Sequence, residues 1–257
     1  MTSNAHTATN RYGALAAEIY DIDKPIGRLP DTRFHLDRLK GFTRPILEPA
    51  CGTGRTLVPL LMAGLEATGF DQSPDMLDRC KAELARRGLA CRVDQQRLED
   101  FHYPHAFGAI LLPVGAFCLL DTLDLGQAVL RRFFQALEPG GLLIIDIQGL
   151  AALADDRPDR RQWFANNGDL LTLEGVRVRT DWLAQRAESR LRYERWRDNR
   201  LIETHLEPMA LRYWGLREFE LELKAAGFSE VMVTGGYDRS RAPRAADWVL
   251  TYEALKP

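Results

Sequence analysis

The chain has 257 residues, with 34 Lys and Arg against 36 Asp and Glu and a formal net charge of −2. That length suits one generous α/β domain or a domain carrying a subdomain, and the near-balanced charge gives no basic field, which argues against nucleic acid as the primary partner. Cys51, Cys80, Cys91 and Cys118 form no C-x-x-C pair or ligand cluster, so neither a zinc site nor a disulfide framework is expected and a reducing cytoplasm fits. Residues 1–10 have neither a basic nor an apolar signal region, and no apolar run approaches the ~18 residues of a membrane span, so a soluble cytoplasmic protein without a membrane partner is predicted.

Residues 11–40 read as two short helices. One lies around 14–20, the other runs from near Asp31 to the stop at Gly41, and a Pro- and Gly-containing loop at 21–30 joins them. Residues 1–42 are thus a predicted N-terminal helical lid. A βα alternation follows, placing an α/β core over residues 43–150. Its first strand ends at Glu48 and enters the turn Ala50-Cys51-Gly52-Thr53-Gly54-Arg55. An amphipathic helix marked by Leu57, Leu60 and Leu61 is closed by Gly64, and the second strand, 66–71, ends in Asp71. Ser73 is a ready N-cap, with Pro74 at the first position of a helix to 87 that Gly88 ends. Third and fourth strands are predicted at 89–93 and 107–112, the latter apolar enough to be buried on both faces. A helix over 125–137 yields at Glu138-Pro139-Gly140-Gly141 to a fifth strand, 142–147.

The pattern then changes period. Short alternating runs from 162 to 212, broken by Asn166-Asn167-Gly168, Glu174-Gly175 and Asp198-Asn199, predict hairpins, and hence an inserted antiparallel β subdomain at 160–212. Its arginine-rich stretch, 186–200, alternates with acids and apolar residues and reads as a solvated strand face. Residues 213–257 complete the core with a helix at 216–226 and strands at 229–234 and 248–252, antiparallel neighbours at the sheet edge. The predicted fold class is therefore α/β: a Rossmann-like, seven-stranded, mostly parallel sheet with an antiparallel edge strand.

Two glycine-turn chemistries compete for the turn after Glu48. A dinucleotide fingerprint needs G-x-G-x-x-G, but the third position falls on Leu57. The pattern is instead an acid four residues before Gly52-x-Gly54, suited to a ligand carrying an ammonium group and no phosphate. Asp71, at the end of the next strand, lies seventeen residues after Gly54, near the roughly twenty of a βαβ unit, where a carboxylate accepts from ribose hydroxyls.

Glu48 to Gly54, Gly69-Phe70-Asp71-Gln72-Ser73-Pro74-Asp75-Met76-Leu77, Leu137-Glu138-Pro139-Gly140-Gly141 and Ala225-Ala226-Gly227-Phe228 resemble the motifs of class I S-adenosylmethionine-dependent methyltransferases. The inserted sheet and helical N-terminus are similar to the small-molecule branch, which includes sugar and amino-acid N-methyltransferases. The resemblance implies S-adenosylmethionine as cofactor. Glu48, Ala50, Cys51, Gly52 and Gly54 would meet its methionyl end and Asp71 its ribose. Gln72, Met76, Arg97 and Leu98 would surround the adenine, and Pro113 would lie near the reactive methyl. Ala50 stands where many members have glycine, which is tolerable if its φ is not positive; Gly108 replaces a common Asp; and Gln96-Arg97-Leu98 lacks the usual acid, leaving adenine to backbone atoms, Glu99 or Asp100.

Methyl transfer is an in-line displacement, so alignment dominates and a base matters only for a protonated acceptor. Pro113-Val114-Gly115-Ala116-Phe117 lacks the tetrad expected for methylating amines of DNA bases. Tyr20, on the lid, and His205, on an inserted strand, are the candidate catalytic residues; Phe117, Arg212 and Tyr213 are candidates for acceptor binding, though Arg212 could equally pair with Glu218. No metal is expected. The resulting expectation is a methyltransferase acting at nitrogen or oxygen of a small molecule, as a monomer or homodimer. A non-catalytic binder of the cofactor, an RNA methyltransferase and a nucleotide-dependent oxidoreductase are the alternatives.

Overall fold

A computed structural model describes residues 12–257; the part of the expected lid on residues 1–11 lies outside them. Helices α1 (Ala14–Asp23) and α2 (Pro30–Leu39) open the described chain. The core follows as β1 (Ile46–Pro49), α3 (Leu57–Met62), β2 (Ala67–Asp71), α4 (Pro74–Arg86), β3 (Val93–Gln95), β4 (Phe107–Leu112), α5 (Leu123–Ala136) and β5 (Leu137–Gln148). Next come α6 (Leu150–Ala154), β6 (Asp159–Phe164), β7 (Leu170–Asp181), β8 (Arg186–Arg197) and β9 (Arg200–Arg212). The chain ends with α7 (Leu216–Ala225), β10 (Ser229–Gly235) and β11 (Val249–Leu255).

Seven strands form one sheet in the order β10-β11-β5-β4-β1-β2-β3. All are parallel except β11, which runs antiparallel to both β5 and β10. The apolar runs of β1 and β4 are buried along their whole lengths, because helices cover both faces. The chain order reverses between β1 and β4, the switch point at which open α/β sheets leave a crevice beyond the strand ends. Among the described residues, no helix is long and apolar enough to cross a membrane.

The third strand starts later than the expected 89–93. Gly88 and Leu89 still donate backbone bonds to Ala85 and Leu84, closing α4, so pairing with β2 begins only where Val93 meets Gly69. Helix α5 starts two residues earlier than expected, just after Thr122, whose hydroxyl accepts from the Leu125 amide at 3.3 Å. In the second sheet, ordered β6-β7-β8-β9, Glu174-Gly175 is not a break but lies inside β7. Bare Gly175 admits Leu191, whose Cδ2 would stand 3.1 Å from an added Cβ. The β8–β9 turn is Asp198-Asn199, both at positive φ (49° and 59°), as a tight right-twisted hairpin requires. The inner face of this sheet packs Leu171, Leu173 and Tyr193 against Leu15, Ala16 and Ile19 of α1. Sheet and helix thereby form a roof over the strand ends of the core.

Candidate active site

Beneath that roof lies a cavity of about 760 Å³, within the roughly 300–1,000 Å³ usual for small-ligand sites. Glu48, at the end of β1, is buried and lines it, and its Oε2 has no hydrogen-bond partner among the described residues. Burial pushes its carboxyl well above the ordinary value; Arg55 pulls it back, while Cys80, Asp31 and Asp71 add to the rise. Asp71, one strand over, accepts from the Gly52 amide at 2.9 Å through Oδ2 and from the Ser73 amide at 2.8 Å through Oδ1. Its carboxylate therefore fixes the glycine turn and still faces the cavity. Burial raises its pKa, opposed by those backbone donors.

The two glycines of the turn do different things. Gly52 has φ +56° and nothing within 4 Å of where a Cβ would stand, so it leaves backbone bare toward the cavity. Gly54 does not line the cavity. At φ +85°, an added Cβ there would meet Cys80 Sγ at 2.9 Å and Val58 Cγ2 at 3.3 Å, so its role is to let the turn pack on α4. Ala50 does not meet the condition for tolerance, since its φ is +50°. Ala50→Gly should therefore relieve strain and stabilise the fold by a net of about 0.5–1 kcal/mol, after the entropy glycine adds to the unfolded chain. Denaturant unfolding measures this; a loss of stability would mean that Ala50 is not held left-handed. The Gly108 departure also has a cause: Arg44 Cβ would stand 2.2 Å from an added Cβ.

The remaining cofactor candidates, Ala50, Cys51, Gln72, Met76, Arg97, Leu98 and Pro113, all line the cavity, as do Gln96 and Glu99, whereas Asp100 does not. Tyr20 lines it too, its phenol raised by burial and drawn down by a hydrogen bond with Arg55. The other candidates are elsewhere. His205 lies toward the exposed end of β9, four residues or about 13 Å along the strand from cavity-lining Met209, with its Nε2 3.0 Å from Glu203 Oε1. Phe117 is wholly buried between Trp214 and Phe219, because the tight turn Ala116–Leu119 aims Ala116 and Leu119 at the cavity and residue 117 away. Arg212 alternates away from cavity-lining Leu211, stacks on Trp214 and pairs with Glu218 Oε1 at 2.6 Å. Tyr213 is buried against Ala152, Leu153 and Ala187, with its hydroxyl 3.1 Å from Arg177.

Arg55 was missed. It is buried at the foot of the cavity, where Asp31 of α2 receives both its terminal nitrogens, at 3.0 and 2.5 Å. It follows the glycine motif directly, but its partner comes from twenty-four residues upstream. The inserted sheet was expected to cover the acceptor pocket, but the residues of its inner face were not singled out: Leu173, Leu191, Tyr193, Met209 and Leu211 all line the cavity. Their period-two spacing was visible in the sequence; which face turned inward was not.

A bare glycine turn, an unpartnered buried carboxylate oxygen and a carboxylate on the neighbouring strand end fit an ammonium-bearing nucleoside without phosphates. The fold is that of class I methyltransferases, and the domain match and relatives that follow identify an S-adenosylmethionine-dependent methyltransferase. Residues 46–141 match the family described as methyltransferase domain. YqeM of Bacillus subtilis (strain 168) is 24% identical over 223 residues, covering 82% of this chain and 83% of that protein. Glycine/sarcosine N-methyltransferase of Halorhodospira halochloris is 34% identical over 128 residues, 48% of this chain and 47% of that one. Among solved structures, the sugar N-methyltransferase KedS8 from Streptoalloteichus sp ATCC 53650 has the same fold, with a TM-score of 0.76 at 18% identity, covering 100% of this chain and 97% of the other.

Proposed function

We propose that the chain methylates the nitrogen of a small acceptor with an apolar body. S-adenosylmethionine, when bound, supplies a methyl group on a cationic sulfur that leaves as a neutral thioether. The chain's own residues supply alignment: Glu48 and the Gly52 backbone would hold the methionyl end, Asp71 the ribose, and Tyr20 with Arg55 the carboxylate end. Tyr20 is on this reading a binding group rather than a base. Beyond the ends of β4 and β5 the wall is mainly aliphatic, with Leu119, Leu120, Leu173, Leu191, Met209 and Leu211, and carries Gln148 and Asp121 as polar groups. Excluding water there favours an apolar acceptor body and keeps the reacting atoms at near-attack distance.

The state of the ionisable groups lining the cavity supports the choice of nitrogen. Asp121 is bound by Arg186 at 3.0 and 2.7 Å, and Tyr12, Tyr20 and Tyr193 are all raised above the ordinary tyrosine range by burial. The phenols stay protonated at neutral pH, Asp121 Oδ2 is held by the Arg186 guanidinium, and cavity-lining Lys24, whose pKa burial lowers and Asp23 partly restores, lies 3.8 Å from the Asp23 carboxylate, so on this reading none of them is assigned as general base. An acceptor must then bring its own lone pair, as a neutral amine does and an alcohol does not. With a series of arylalkylamines, kcat/KM should rise with pH along each amine's own ammonium pKa. One shared apparent pKa across amines of different basicity, or turnover of alcohols alone, would overturn the reading.

A further inference from the structure

Behind the cavity wall sits a buried polar cluster that the reading above does not use. Asp146 on β5 is fully buried and does not line the cavity. Its Oδ2 accepts from the Val114 amide at 2.9 Å and the Tyr237 hydroxyl at 2.9 Å, and lies 3.1 Å from His35 Nε2. Its Oδ1 accepts from the Thr251 hydroxyl at 2.6 Å. One carboxylate thus gathers the turn after β4, the loop after β10, helix α2 and strand β11. Burial opposes its charge, but His35, Thr251 and the Val114 amide outweigh this and hold its carboxyl below the ordinary range.

The group it holds in the wall is strained. Val114 has φ +61° and is followed by Gly115 at +71°; a β-branched residue in the left-handed region persists only where its surroundings over-determine it. Pro113, Val114, Gly115 and Ala116 line the cavity at the end of β4, between the Glu48 side and the aliphatic side. The strain is therefore stored in the backbone that divides cofactor from acceptor.

We propose that Asp146 is a positioning residue for methyl transfer, holding the Val114–Gly115 turn left-handed as the acceptor wall and tying its shape, through His35 and Tyr237, to the docking of α2 and of the loop after β10. This rests on the cofactor and acceptor assignment above. A wall displaced by an ångström misaligns the nucleophile without touching the cofactor's own contacts, so the loss should fall on kcat rather than on cofactor affinity.

The test uses the full chain as wild type, Asp146→Asn, the milder Tyr237→Phe, and Asp146→Asn combined with Val114→Gly. S-adenosylhomocysteine affinity is measured by calorimetry, exchange of the 113–118 amides by hydrogen–deuterium mass spectrometry, and kcat with phenethylamine. Expected for both single variants are exchange faster by about tenfold or more in that segment, unchanged ligand affinity, and kcat lowered by a similar factor with little change in KM. Glycine suits a positive φ, so Val114→Gly should restore part of kcat in the Asp146→Asn background. Unchanged exchange in both single variants, or a fall in melting temperature with kcat intact, overturns the proposal. Failure of the wild type to bind S-adenosylhomocysteine would sink the cofactor assignment instead, and the exchange comparison separates the two.

Discussion

Asp71→Ala should lower affinity for S-adenosylmethionine and S-adenosylhomocysteine by at least two orders of magnitude. Two ribose hydroxyls would lose a charged acceptor at about 1.5–3 kcal/mol each, or roughly 3–6 kcal/mol together, and 1.4 kcal/mol is tenfold. The same substitution removes the acceptor for the Gly52 and Ser73 amides, so the glycine turn should loosen and the cofactor-free protein melt earlier. Asp71→Asn separates the two effects. Its single amide oxygen can keep one backbone donor while losing the charge, so stability should suffer less than with alanine and affinity nearly as much. Calorimetry and thermal unfolding on both variants measure this. Affinity within threefold of wild type in Asp71→Ala would remove the residue from the binding site.

How legible these residues were in the sequence follows from how locally each is determined. Glu48 and Asp71 end apolar strands and precede turn residues, so a short stretch of chain fixes both their place at the sheet edge and the side of the fold they serve. The acceptor side is built differently. His205, Met209 and Leu211 share one parity on β9, yet only the latter two line the cavity: His205 pairs with cavity-lining Tyr193 but stands on the outer edge strand, turned to Glu203, which parity alone does not show. Arg212 is one residue from Leu211 and faces the opposite way, toward Glu218. Phe117 and Leu119 separate by the threefold turn of a short helix whose start the residues did not announce. Asp146 was invisible for another reason: within a run of five buried apolar neighbours it reads as one polar residue in a core strand, and its four partners come from four distant elements. The Ala50 exception shows the limit even of the clear motif, because a side chain sits at positive φ where residue type alone suggested it would not.

Glu48→Gln should cost the cofactor and help the empty protein. Burial holds the Glu48 carboxyl well above its ordinary 4.5, with Arg55 only partly compensating. For a group raised on folding, its stabilising contribution is complete below the unfolded value and is lost as pH rises through the folded one. The cofactor-free wild type should therefore lose stability relative to Glu48→Gln from about pH 4.5 upward, until Glu48 ionises in the fold. Unfolding of both proteins across that range measures the gap. An ammonium group placed against Oε2 reverses the preference by favouring the charged form. Binding should then release a proton below the raised pKa, seen as a calorimetric heat that varies with the ionisation enthalpy of the buffer. Glu48→Gln should bind about ten- to a hundredfold more weakly, for the loss of one charge-assisted bond of about 1.5–3 kcal/mol, and should release no such proton. A gap that does not widen with pH would mean that Glu48 is not protonated in the empty fold. An unaltered affinity would mean that its unpartnered oxygen does not face the ammonium, and the acid at the end of β1 would then have to be explained by Arg55 alone.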